Sequence, residues 1–140
     1  MTTKEYLSQI DRLNKLIVNK TSELTQIKLI AKNVTIPPKE VNVQTSPDND
    51  KMGNAIAKLV DLENEINMLI SEYIEQRSHI ITQIERMNNT DIYNVLFKRY
   101  VLCKDWSTIS FELNFSFRNT MKLHKKALKE FEQLYGEIYM

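Results

Sequence analysis

The residues of this chain whose types and spacing could do chemistry lie in its last third. Arg99-Tyr100 is followed by Trp106-Ser107-Thr108-Ile109, and then by Ser116-Phe117-Arg118-Asn119-Thr120-Met121-Lys122-Leu123-His124-Lys125-Lys126-Ala127-Leu128. The spacing of Ile92, Val95, Leu96 and Tyr100 predicts one short amphipathic helix, and that of Trp106, Ile109 and Leu113 a second. A third runs from Ser116 through Leu123, Ala127, Leu128 and Phe131 to Leu134-Tyr135, with Gly136 as its end. Thr90, Asp105 and Ser116 are the expected side-chain caps. Two short helices joined by a corner at Asn114-Phe115, where Asn tolerates the left-handed conformation, have the layout of a helix-turn-helix. In that layout the second helix, here about residues 116–135, enters the major groove of DNA.

If Thr120, Leu123, Ala127, Leu128 and Phe131 face the core, then Phe117, Arg118, Met121, Lys122, Lys125, Lys126 and Lys129 face outward, with Asn119 on the flank. Arg118 and Asn119 are the base-reading candidates, because Arg can grip guanine and Asn can pair with adenine through two hydrogen bonds. The later lysines would meet phosphates. The net charge of the chain is only +1, but eight cations face two anions between Lys98 and Lys129, a local net of +6. The competing reading of the same face is a solvated basic surface on a structural helix.

No other constellation carries chemistry. His124, between Leu123 and the basic face, either contacts a phosphate or seals the edge of the core; His79 reads as solvent-facing. A metal site is not expected, since no Cys or carboxylate cluster accompanies either histidine. Trp106 reads as a core plug, with base stacking as the alternative. Glu63, Glu65, Glu72 and Glu75 show only ordinary helix-surface spacing, and there is neither a glycine-rich phosphate loop nor a nucleophile triad. The single Cys103 reads as a small, partly buried residue at a helix end. No catalysis, cofactor or small-molecule substrate is expected.

The elements that must position the basic helix follow from composition and period. Only two Gly and three Pro occur in 140 residues, with 42% hydrophobic and 26% charged residues, which predicts an all-α protein of long helices. From about Lys4 to Val34 the residues Tyr6, Ile10, Leu13, Ile17, Lys20, Leu24, Ile27, Ala31 and Val34 alternate steps of four and three, the seam of a coiled coil on a helix about 45 Å long. Pro37-Pro38 stops it, and residues 35–50 read as a flexible linker whose Asp48 or Asp50 caps the next helix. That helix, residues 51–89, shows a stripe of Met52, Ile56, Leu59, Ile66, Ile70, Tyr73, Ile80, Ile84 and Met87, widened by Leu62, Leu69, Gln76 and Gln83. The expected architecture is a long N-terminal antiparallel helical hairpin or coiled coil (1–34 and 51–89), then a helix-turn-helix domain over 90–140. A stripe that wide exceeds what one partner helix covers, so either the C-terminal helices or, by preference, a second copy packs on it as a homodimer. No apolar run approaches the roughly 20 residues of a membrane span. The N-terminus lacks a signal-peptide core, so the chain reads as cytoplasmic, in agreement with a single Cys.

Three stretches together carry a resemblance: Tyr6-Leu7-Ser8-Gln9-Ile10-Asp11-Arg12-Leu13, Ala57-Lys58-Leu59-Val60-Asp61-Leu62-Glu63-Asn64-Glu65-Ile66-Asn67, and the C-terminal motif above. They resemble small phage and prophage proteins of Gram-positive bacteria near the ArpU- and RinA-like regulators of late transcription. The C-terminal part is also similar to sigma-factor region four. This chain departs from that pattern at Ser107-Thr108 (acidic there), at Ser110 (alanine there), at the corner residue Asn114 (glycine-like there) and at Thr120 (valine there). The resemblance implies a DNA-binding transcription regulator of phage or prophage late genes, acting on double-stranded DNA in the bacterial host cell. The alternative is a protein-interaction module that engages RNA polymerase or a host regulator without reading DNA sequence. A non-catalytic packaging subunit that recognises phage DNA is a third reading.

Overall fold

The computed structural model describes the backbone of residues 1–35 and 46–140, and the side chains of residues 1–32 and 51–140. The chain is all-α: the described residues form α1 (Thr3–Leu7), α2 (Gln9–Thr35), α3 (Ser46–Glu85), α4 (Thr90–Leu96), a π-helical turn (Phe97–Val101), α5 (Trp106–Leu113) and α6 (Phe117–Tyr139). None of these helices is long and apolar enough to cross a membrane. The linker expected over 35–50, with Pro37-Pro38, falls mostly on residues 36–45, outside those described. Its last five residues are helical, so α3 begins at Ser46 rather than Lys51, and Asp48 and Asp50 lie within its first turns instead of capping it. Pro47 fits there because the first-turn amide it lacks has no partner inside the helix.

The chain divides into two compact units, Lys15–Glu72 and Met1–Asn14 with Tyr73–Met140. In the first, α2 and α3 are linked by ion pairs of Lys20 with Glu65 (2.9 Å) and Lys28 with Glu63 (3.6 Å). Rising positions on α2 thus meet falling positions on α3. The α2 seam is where its spacing places it: Leu13 is buried and Ile17, Lys20, Leu24, Ile27 and Ala31 are half-buried, the Lys20 ammonium reaching out of the seam to Glu65.

The stripe on α3 differs from the expected one. The covered residues are Met52, Ala55, Leu59, Leu62, Ile66, Leu69, Tyr73, Gln76, Ile80, Gln83 and Met87, strictly alternating steps of three and four, while Ile56 and Ile70 are 52% and 38% exposed. Both stripes repeat every 3.5 residues and share Met52, Leu59, Ile66, Tyr73, Ile80 and Met87. The one through Ile56 and Ile70 also runs through the charged Glu63 and Arg77, whereas the covered one runs through Leu62, Leu69, Gln76 and Gln83. Toward its C-terminal end the covered face of α3 broadens: Arg77 and Ile81 are half-buried and Ile84 is fully buried. The expected breadth, from the stripe through Ile56 and Ile70 together with Leu62, Leu69, Gln76 and Gln83, is covered only toward the C-terminal end of α3, and Ile56 and Ile70 stay exposed.

In the second unit Ile80, Ile84 and Met87 join Tyr6, Leu7 and Ile10, together with Ile92, Val95, Leu96, Tyr100, Val101, Ile109, Ala127 and Phe131, in one core. Helix α6 packs against α1, α4 and α5. Helix α1 starts with a reciprocal cap: Thr2 Oγ1 accepts from the Glu5 N–H, and Glu5 Oε2 from the Thr2 N–H. Tyr6 stacks on Tyr139 at 4.3 Å and donates its hydroxyl to Gln83 Oε1 at 2.8 Å, and Thr3 and Tyr139 share a hydrogen bond of 2.7 Å. These contacts carry α6 past Gly136, which lies buried within the helix rather than ending it.

Candidate nucleic-acid interface

The local sequence sets each turn of this region. Asn89, not Thr90, caps α4: its Oδ1 accepts from the N–H groups of Asp91 and Ile92, a reach Thr90 cannot make from inside the helix. After α4 the backbone widens into a π turn, the Leu102 N–H bonding the Phe97 carbonyl five residues back. Cys103 then adopts a left-handed conformation (φ 56°), and its side chain is exposed rather than partly buried. Asp105 caps α5 through the Thr108 N–H at 2.7 Å, a bond that lowers the pKa of its carboxyl. Asn114 takes the left-handed conformation expected of the corner (φ 59°, ψ 35°), and Ser116 caps α6 through the Asn119 N–H at 3.1 Å.

The corner is fastened from inside. Ser110 Oγ donates to Thr120 Oγ1 at 3.0 Å, and Thr120 Oγ1 donates in turn to the Ser116 carbonyl at 2.9 Å. Both hydroxyl residues are buried.

Of the eight cations between Lys98 and Lys129, three are used internally. Glu112 pairs with Lys104 (2.8 Å) and Lys98 (3.3 Å), which together lower its pKa. The Arg99 guanidinium lies 4.6 Å from the Trp106 ring centre and donates to the Lys104 carbonyl. The other five, Arg118, Lys122, Lys125, Lys126 and Lys129, are all exposed on α6, with no ion pair among the described residues. Phe117 (60% exposed) and Asn119 share this open surface, while Met121, expected to face outward, is half-buried. It follows the fully buried Thr120 directly and so sits at the edge of the core-facing side.

His124 is settled by burial. It is 5% exposed, its Nε2 is 2.6 Å from the Tyr100 hydroxyl, and the Trp106 ring lies 4.5 Å away. Burial, with smaller contributions from Lys4 and Arg99, pushes its pKa down to about 4. It is therefore a neutral core residue and not a phosphate contact. Trp106, between Arg99 and His124, is the expected plug. His79 is exposed, and the described residues contain no cluster fit to hold a metal.

One exposed residue escaped sequence reasoning. Phe111 on α5, between Ser110 and Glu112, is 83% exposed. The signal was available in its spacing: Ile109 and Leu113 are four apart, which turns Phe111 to the opposite side. Like charges three or four residues apart, as at Arg118/Lys122, Lys122/Lys126 and Lys125/Lys129, each destabilise a helix by about 0.2–0.5 kcal/mol. A helix carrying such a run gains when an anion lies along it. No family model, curated protein or solved structure matches the chain.

Proposed function

We propose that this chain is a DNA-binding transcription regulator of the ArpU/RinA-like phage and prophage group, working in the host cytoplasm. In this reading α5 and α6 are a helix-turn-helix, and α6 enters the major groove. The observation that carries it is the set of five cations, Arg118 to Lys129, on the open face of a helix that a left-handed Asn114 and a Ser116 cap present. From Arg118 to Lys129 the helix advances about 16 Å, enough to cross a major groove about 12 Å wide, with Arg118 in the first turn and the lysines toward the backbone. The buried His124 and the Trp106 ring tilted against it serve this face by holding α5 and α6 together.

The exposed Phe111 favours a second reading, in which the same domain docks on RNA polymerase or a host regulator. Salt separates the two. Replacing Lys122, Lys125 and Lys126 with Ala should weaken binding to duplex DNA of any sequence. It should also flatten the slope of log affinity against log salt by about 0.9 for each phosphate that is no longer neutralised. Affinity and slope both unchanged by the triple substitution would remove the DNA reading.

A further inference from the structure

The first turn of α6 opens with three exposed residues, Phe117, Arg118 and Asn119, and Thr120 is the first residue of the helix to be buried. At about 100° per residue, Phe117 and Asn119 flank Arg118 on opposite sides. The apolar residues of α6 that pack on the core are Leu123, Ala127, Leu128, Phe131, Tyr135 and Tyr139. Phe117, 60% exposed, lies outside that core. The two flanks of the basic face therefore differ. Phe117 and the half-buried Met121 make one apolar, whereas Asn119 and Lys126 make the other polar.

The charge around Phe117 limits what it can meet. Arg118, Lys122, Lys125, Lys126 and Lys129 all precede Glu130, the first acid of the helix. A ligand that fits this surface is a polyanion that also offers an apolar group. In duplex DNA the major groove offers one beside the phosphates: the thymine 5-methyl group, with which phenylalanine makes apolar contact. An RNA duplex offers neither part, because its major groove is too narrow for side chains and uracil lacks the methyl. We propose that Phe117 selects a thymine by packing its ring on the 5-methyl group, beside the base pair that Arg118 contacts. The inference rests on the DNA reading above, and it adds a base preference that the lysines cannot supply.

The test begins with duplexes that the full chain selects from a random-sequence pool. Each thymine of the recovered site is then replaced in turn by deoxyuridine, which removes only the methyl. Burying one methyl group is worth about fourfold in affinity, so one replacement should weaken wild-type binding about fourfold. Phe117→Ala should bind the thymine and deoxyuridine forms of that position equally. The substitution trims an exposed side chain, so far-UV circular dichroism should stay unchanged. A wild-type chain indifferent to every replacement, a selection that yields no preferred thymine, or a Phe117→Ala variant that keeps the discrimination would each overturn the inference. Salt-dependent binding of the wild-type chain to the unselected pool tests the DNA reading separately. With that binding present, any of these results removes the thymine contact alone; without it, both readings fall.

Discussion

Removing the Thr120 hydroxyl probes what holds α5 and α6 at their corner. Thr120 Oγ1 is fully buried, accepts from Ser110 Oγ at 3.0 Å and donates to the Ser116 carbonyl at 2.9 Å. Thr120→Val keeps the side-chain shape but deletes both bonds. The Ser116 carbonyl keeps the Thr120 N–H at 2.9 Å, so it is not orphaned, but the Ser110 hydroxyl loses its partner in a buried site. Two bonds at about 1 kcal/mol each, offset by about 0.8 kcal/mol for the gained methyl, leave a loss of about 1–2 kcal/mol. Ser110→Ala deletes one bond and strands no donor, since Thr120 still has the Ser116 carbonyl; it should cost about 0.5–1 kcal/mol. In the double variant nothing polar is left unpaired, so it should be no less stable than Thr120→Val alone, with a coupling of about 1 kcal/mol. Urea unfolding followed by far-UV circular dichroism on the four proteins measures this directly. Additive losses, or a neutral Thr120→Val, would show that the two hydroxyls do not act as a pair.

Two further outcomes follow from the same region. His124 has a depressed folded-state pKa of about 4 against about 6.5 unfolded, so the folded chain binds fewer protons in that window. The stability present above pH 6.5 should therefore be lost as pH falls toward 4, by about 2 kcal/mol after allowing for partial solvent screening; His124→Asn should flatten that acid limb, and parallel curves would show that the ring does not titrate this way. Arg118→Ala should lose about 1–3 kcal/mol on a preferred DNA site and much less on random duplex, and an equal loss on both would make Arg118 a backbone contact.

How much of the candidate site was legible follows from the range of the interactions involved. The caps at Asp105 and Ser116 and the left-handed Asn114 lie within four residues of the groups they satisfy, so residue type and position sufficed. The exposure of Lys122, Lys125, Lys126 and Lys129 followed from the helical period once Ala127 and Phe131 were assigned to the core. Which of the eight cations remain available was not legible. Glu112 takes Lys98 from fourteen residues away and Lys104 from eight, an arrangement that needs the π turn and α5 in place.

By itself the sequence determined an all-α chain, the seam of α2 and the corner between α5 and α6, because amphipathic period and local capping are set by neighbours along the chain. The tertiary structure decided which of two adjacent apolar stripes on α3 is covered, choosing Ala55, Leu62 and Leu69 over Ile56 and Ile70. It also made His124 a neutral core residue, drew Met1–Asn14 into the unit that holds α6, and carried α6 through Gly136. Each of these outcomes depends on a partner far away in sequence: Tyr100 and Trp106 for His124, and Tyr6 and Thr3 for Tyr139 at the end of α6. Periodicity shows that a face is apolar, but only the packed partner determines which residues of that face leave water.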